Sequence, residues 1–268
     1  MRANAEEFYA VMQSGELRRA ELTNGDLFGG YRAGAPIPGG LERVRLLTPV
    51  RPSKLVCVGL NYRDHAAEVK KALPPEPMLF MKPSTAALDP GAPILLPPGV
   101  GRVDHEAELA VVIGRRAHRV DRASAWDYIL GITCVNDVTA RDIQNREIQY
   151  TRAKGFDTFA PIGPCITTGL RGDSLGVEGW VNGERRQSSS TAQLIFPIDY
   201  LVEYITFVMT LEPGDIISTG TPSGIGPLRA GDVVTVKVEG VGELRNPVQD
   251  EASPAADQRA TGAEGRGR

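Results

Sequence analysis

The segment Asp104-His-Glu-Ala-Glu-Leu-Ala-Val-Val112 constrains this chain more than any other. Its valines and other apolar residues favour a strand, and strand side chains alternate between two faces. Glu106 and Glu108 then share one face, roughly 6–7 Å apart along the strand, while Ala107, Leu109 and Val111 share the other. Two carboxylates on an otherwise apolar strand are costly to bury unless something positive sits between them. Either that face is wet, as on many amphipathic strands, or it meets a cation. In the second case a hard ion with oxygen ligands, Mg²⁺ or Mn²⁺, fits carboxylates better than zinc does.

Similar short apolar runs recur along the chain. Residues 54–59, 78–81, 128–135, 216–219 and 232–239 read as further strands, each bounded by turn residues. Asn182-Gly183 sits between strand-like flanks in residues 177–187, a strong short-range hairpin signal. Helices are expected over residues 62–71, stopped by Pro74 and Pro75, over 139–147, and over 200–211, ended by Glu212-Pro213-Gly214. With 30 Gly, 20 Pro and 6% aromatics, the chain reads as many short elements joined by tight turns. The helices are too few and too irregularly spaced for a doubly wound sheet, so the expected class is α+β around a heavily β core.

Residues 1–50 read as an N-terminal appendage, with a helix-like pattern early and a Gly/Pro cluster at 34–40. Residues 51–249 read as the catalytic domain. From Asp250 to Arg268 the only apolar side chains are Ala and Pro, so this tail is expected to be disordered. The formal net charge of −3 provides no basic excess for nucleic acid. No apolar run approaches the roughly 20 residues of a membrane span, and the acidic start does not look like a signal peptide. Cys57, Cys134 and Cys165 are widely spaced, which suits free thiols in a reducing cytoplasm.

Three further features bear on chemistry. Asp137 follows an apolar run that should end at the rim of a sheet, where it can serve a cation or cap the helix that follows. His65 and Glu68 stand three apart on the expected helix, so the carboxylate can orient the imidazole as a general base, or the two form an ordinary surface pair. His105 and His118 look less promising. Gly172-Asp-Ser-Leu-Gly176 matches the nucleophile-elbow pattern, but a hairpin signal follows it where a helix is required, so it reads as a loop.

Six segments in order resemble the fumarylacetoacetate hydrolase family: Gly59-Leu-Asn-Tyr-Arg-Asp-His-Ala-Ala-Glu68, His105-Glu-Ala-Glu-Leu-Ala-Val-Val-Ile-Gly114, Asn136-Asp-Val-Thr-Ala-Arg-Asp-Ile-Gln144, Lys154-Gly-Phe-Asp-Thr-Phe159, Leu211-Glu-Pro-Gly-Asp215 and Thr219-Gly-Thr-Pro-Ser-Gly224. The resemblance implies a mixed β-roll core, a homodimer, and Mg²⁺ or Mn²⁺ held by Glu106, Glu108 and Asp137. It implies a His65–Glu68 dyad on a short lid that orders when substrate binds, and Lys154 beside the metal as a catalytic cation. Asn61, Tyr62, Arg141, Gln144 and Thr221 are assigned to substrate, with specificity set around Lys82 and residues 188–191. Fumarylacetoacetase proper has a metal-binding aspartate near the position of Asn61, so its own substrate is not expected here. The implied reaction is metal-dependent C–C hydrolysis of a 2,4-dioxo acid through a metal-bound enolate. Isomerisation of a hydroxy-dienedioate or decarboxylation of oxaloacetate would use the same site, and a non-catalytic acid-binding protein is the reading from another class.

Overall fold

The computed structural model describes residues 6–252. At the N-terminus, β1 (Ala10–Gln13), β2 (Glu16–Leu22) and β3 (Tyr31–Pro36) form an antiparallel sheet of their own, where the sequence pattern predicts a helix. Ser14 and Gly15 take φ of 52° and 80° between the paired residues Gln13 and Glu16. Such a two-residue turn matches strand twist and folds the chain back before a helix can propagate. No residue of these strands is buried, and the sheet leans on the main body through Leu27 and Phe28.

The main body continues with β4 (Leu55–Gly59), α1 (Arg63–Glu68), β5 (Met78–Lys82), β6 (Ala87–Leu88), β7 (Ile94–Leu96), β8 (Val103–His105), β9 (Ala107–Ile113) and β10 (Ile129–Asn136). Next come β11 (Thr139–Ala140), α2 (Arg141–Arg146), α3 (Thr151–Lys154), β12 (Ala160–Thr167), β13 (Gly176–Val181) and β14 (Glu184–Ser190). The chain ends with α4 (Ile198–Val208), β15 (Ile216–Ser218), β16 (Gly226–Pro227), β17 (Val233–Val238) and β18 (Gly242–Asp250). Asp250 therefore belongs to a strand, a correction to the expected tail; residues 253–268 lie outside the described region. Asn182 and Gly183, at φ of 53° and 80°, form the expected hairpin turn.

A seven-stranded mixed sheet runs β5-β4-β15-β9-β10-β12-β6, and a five-stranded one runs β14-β13-β17-β18-β7. Between them Leu109, Val111 and Ile113 of β9 pack with Ile132 and Cys134 of β10, Val177, Val236 and Val238 of the second sheet, and Leu201, Val202 and Ile205 of α4. The opposite face of β9 carries Ala110 and Val112, which pack with Leu55, Cys57, Val135, Ile162 and Ile216. Thus β9 is buried on both faces, and Glu108 on it and Glu106 just before it are both buried and not the wet side of an amphipathic strand.

Strand direction gathers the chemistry at one end of the large sheet. β4 and β15 run parallel, and β15 and β10 each run antiparallel to β9. The carboxyl ends of β4, β15 and β10 and the amino end of β9 therefore coincide. There β4 leads into α1, β10 into Asp137, and β15 into Thr219-Gly220-Thr221. Among the described residues no helix is long and apolar enough to cross a membrane. All three cysteines are free; Cys57 and Cys134 are buried and Cys165 is exposed.

Candidate active site

Glu106, Glu108 and Asp137 each offer a carboxylate oxygen within 4.8 Å of the others, and all three are buried. The backbone sets this convergence. Asn136 Oδ1 accepts from Glu106 N at 3.0 Å and Glu106 O accepts from Asp137 N at 2.9 Å, so the end of β10 is clipped to the start of β9. Asp137 does not cap the next helix, whose N-cap is Ala140 with no side-chain bond. Its oxygens go to two buried lysines: Lys82 Nζ donates to Oδ1 at 2.5 Å and Lys154 Nζ to Oδ2 at 2.6 Å.

Lys154 Nζ also donates to Glu106 Oε2 at 2.8 Å and stands 5.0 Å from the Phe80 ring centroid. Burial opposes the Lys154 charge, but Asp137 and Glu106 more than offset it and hold the ammonium form well above the usual lysine range. Burial alone would raise Glu106, yet Lys154 and Arg141 keep its carboxyl well below the carboxylate range. Glu108 has a different environment. Its Oε2 accepts from Ser218 Oγ at 2.6 Å and Gly220 N at 2.9 Å, and no lysine or arginine among the described residues bonds to it. Burial, with the charges of Asp137 and Glu106 beside it, pushes Glu108 up to about 8. The donor set is all oxygen, anionic and compact, which fits a hard divalent cation and not a soft one.

His65 and Glu68 lie on α1 with Nδ1 and Oε2 2.9 Å apart. A carboxylate there keeps the proton on Nδ1 and leaves Nε2 as the basic nitrogen. The helix is formed and tied down: Gly224 N donates to Glu68 Oε1 at 3.0 Å, Arg63 Nη1 to Leu194 O at 2.6 Å, and Ser189 Oγ to Asp64 Oδ2. The segment expected as a lid is this helix. His65 lines the same cavity of about 550 Å³ as Glu106, Glu108, Asp137 and Lys154.

Arg141, Gln144 and Thr221 line that cavity too, but with prior commitments. Arg141 donates to Asp104 Oδ2 through Nε at 2.8 Å, to Glu106 Oε1 through Nη2, and to Gln144 Oε1 through Nη1. That arrangement leaves the Gln144 amide nitrogen as the donor open to a ligand. Thr221 Oγ1 donates to Ala107 O at 3.0 Å and accepts from Gln187. Asn61 and Tyr62 do not line the cavity, which corrects their expected contact with substrate. Asn61 is fully buried, donating to Phe196 O and Thr219 O and accepting from Phe196 N. Tyr62 packs in the main core, its hydroxyl without a partner among the described residues, and burial pushes its pKa far up.

Sequence reasoning missed the role of Lys82, expected only near a specificity region, and those of Asp104, Ser218, Gly220 and Gln187. A lysine ending a five-residue strand was the one available signal for Lys82; the others depend on pairing across distant strands. His105 faces Gln187 at 3.0 Å and not the cavity, and burial lowers its pKa.

The fold and site define a β-rich enzyme with a buried carboxylate cluster and a neighbouring histidine–glutamate pair. Residues 54–249 match the family described as fumarylacetoacetate (FAA) hydrolase C-terminal. The chain belongs to the fumarylacetoacetate hydrolase family, whose members are enzymes. The chain is similar to the mitochondrial oxaloacetate tautomerase of Bos taurus, 41% identical over 201 residues, covering 73% of this chain and 91% of that protein. The 5-carboxymethyl-2-hydroxymuconate delta-isomerase of Mycobacterium smegmatis is 43% identical with a TM-score of 0.82, covering 91% of this chain and 94% of that one. The 2-hydroxyhepta-2,4-diene-1,7-dioate isomerase of Mycobacterium marinum is 40% identical with a TM-score of 0.80, covering 92% and 99%.

Proposed function

We propose that this enzyme moves a proton at the carbon next to the oxo group of a small 2-oxo acid, as a tautomerase or isomerase. The observation that carries this reading is one cavity of about 550 Å³ lined by His65, the three carboxylates and Lys154. Glu106, Glu108 and Asp137 hold a divalent cation, with Mg²⁺ or Mn²⁺ as the proposed ions; when bound, it supplies Lewis acidity to the carboxylate and oxo oxygens of the substrate. His65 Nε2 takes the proton from the carbon next to the oxo group and delivers it to the oxo oxygen in a tautomerisation, or to a carbon further along the conjugated chain in an isomerisation, and Glu68 orients the ring through Nδ1. Lys154 and the Gln144 amide stabilise the oxygen on which negative charge develops. The isomerase and tautomerase names of the three relatives support a reaction that ends with proton transfer.

Hydrolytic C–C cleavage of an acylpyruvate is the second reading. A water occupies about 30 Å³, so the cavity has room for one beside a small oxo acid, and His65 would activate that water. The test follows the ultraviolet absorbance of oxaloacetate, a hydroxy-dienedioate and a panel of acylpyruvates with Mg²⁺, Mn²⁺ or chelator, with products identified by mass spectrometry. Metal-dependent interconversion at unchanged mass is expected and should be lost in His65→Gln. Pyruvate plus a free acid from an acylpyruvate establishes hydrolysis instead. Pyruvate and carbon dioxide from oxaloacetate alone establishes decarboxylation. No turnover of any of these leaves the non-catalytic reading. A homodimer is proposed as the working unit, supported by Met78 and Met81 exposed along the sheet-edge strand β5; light scattering in solution reads it.

A further inference from the structure

The strand β14 edges the five-stranded sheet, paired among the described strands with β13 alone. It carries Gln187 and Ser189 two residues apart, the spacing that sends strand side chains to one face. Gln187 is fully buried with its amide saturated. Its Oε1 accepts from Ala107 N at 2.9 Å and lies 3.0 Å from His105 Nδ1, and its Nε2 donates to Thr221 Oγ1 at 2.8 Å and Pro222 O at 2.9 Å. Ala107 lies between Glu106 and Glu108, and Thr221 follows the Gly220 whose N–H holds Glu108. Gln187 therefore bonds β14 to the segment that carries Glu106 and Glu108 and to the loop whose Gly220 N–H holds Glu108.

The same strand reaches the base. Ser189 Oγ donates to Asp64 Oδ2, and Asp64 Oδ1 accepts from His65 N at 2.7 Å. At Gly224, φ is +95° and a Cβ would stand 2.0 Å from Arg186 O, so this loop lies flat against β14. Its N–H donates to Glu68 Oε1. α1 is six residues long with no side-chain N-cap. Helices shorter than about 12 residues are marginal by themselves, so ties to the rest of the fold decide where α1 sits.

We propose that residues 186–189 of β14 set the position of the His65–Glu68 pair relative to the acid cluster. Ser189 and Gly224 act as positioning residues for the base, and Gln187 anchors the strand to the acids. The inference rests on the reading of His65 as the base.

The test compares Ser189→Ala, Ser189→Thr and His65→Gln with the parent by hydrogen exchange of the amides of residues 66–69, by kcat and KM, and by Mn²⁺ affinity. A misplacement of about 1 Å can cost up to 10²-fold in rate. Ser189→Ala is expected to speed α1 exchange and lower kcat on the order of 10-fold, with Mn²⁺ affinity held within about twofold, since no carboxylate of the cluster has moved. Ser189→Thr keeps the hydroxyl and should restore both. Parent-like exchange or parent-like kcat in Ser189→Ala, with His65→Gln inactive, overturns the positioning role and leaves the base reading standing. Full turnover in His65→Gln overturns the base reading and the positioning role with it.

Discussion

Lys82 and Asp137 meet at 2.5 Å, Nζ to Oδ1, with side chains 0% and 1% exposed. They stand 55 residues apart in the sequence, and Lys82 also donates to Val138 O at 2.9 Å. Lys154 takes the other oxygen of Asp137, so this carboxylate is held on both sides by buried ammonium groups. Burying such charges is tolerable only as a connected set, because each would otherwise lose its hydration with nothing in exchange.

Removing one member should therefore be severe. Lys82→Ala leaves Asp137 Oδ1 and Val138 O without their donor, and a broken buried pair costs about 3–5 kcal/mol. A lowered urea midpoint at unchanged slope is expected, with part of the loss recovered by Mn²⁺, which lends Asp137 a new positive neighbour. A midpoint within the parent's error would contradict the pairing.

Metal uptake should expel a proton. Glu108 is pushed up to about 8 in the metal-free protein by burial, then by Asp137 and Glu106. An unfolded glutamate titrates near ~4.3, so the native chain holds a proton that the unfolded chain has already released. This contribution to metal-free stability is complete below the unfolded value and lost as pH rises through about 8. A cation needs the ionised form, so apparent Mn²⁺ affinity should rise toward 10-fold per pH unit as pH climbs from about 6 to 8. Calorimetry in buffers of different ionisation heat reads the released proton directly, and equal affinities at both ends of that range would rule it out.

Arg141→Lys should act as a disruptive change. The guanidinium ties Asp104, Glu106 and Gln144 together from one planar fork, which a single ammonium cannot do. Loss of a group that orients a ligand carboxylate typically costs 10–100-fold in metal affinity. The expected result is weaker Mn²⁺ binding with an unaltered circular dichroism spectrum. Parent-like affinity would show that Glu106 keeps its place without the fork.

Asn61→Ala tests the correction to this residue's role. It removes a buried side chain that makes three hydrogen bonds to the backbone at Phe196 and Thr219. Stranded buried groups cost about 1–3 kcal/mol each, so the melting temperature should fall by several degrees. KM of the folded fraction should stay near the parent value. A large rise in KM at unchanged stability would return Asn61 to the substrate.

Much of the site was legible because its signals are local. Glu106 and Glu108 follow from period-two alternation, and His65 and Glu68 from three-residue spacing on a short helix. Asp137 could be placed at a strand end, but choosing between helix cap and cluster member required seeing Lys82 and Lys154 on its oxygens. The N-terminal sheet was misread because the Ser14-Gly15 turn outweighs a helix-like pattern of side chains. Strand formation depends on neighbours more than on intrinsic preference.

The sequence by itself determined the β-rich α+β class, the family, the acid cluster and the histidine–glutamate pair, since each is written in periodicity or in contiguous motifs. Only the tertiary structure decided that β9 is buried on both faces, that Lys82 and Lys154 share Asp137, and that Gln187 and Ser189 link the acids to the base. It also moved Asn61 and Tyr62 from the cavity into the core. The physical reason is sheet register: partners separated by 17 to 158 residues are chosen by which strands lie side by side, and nothing in the local chain encodes that choice.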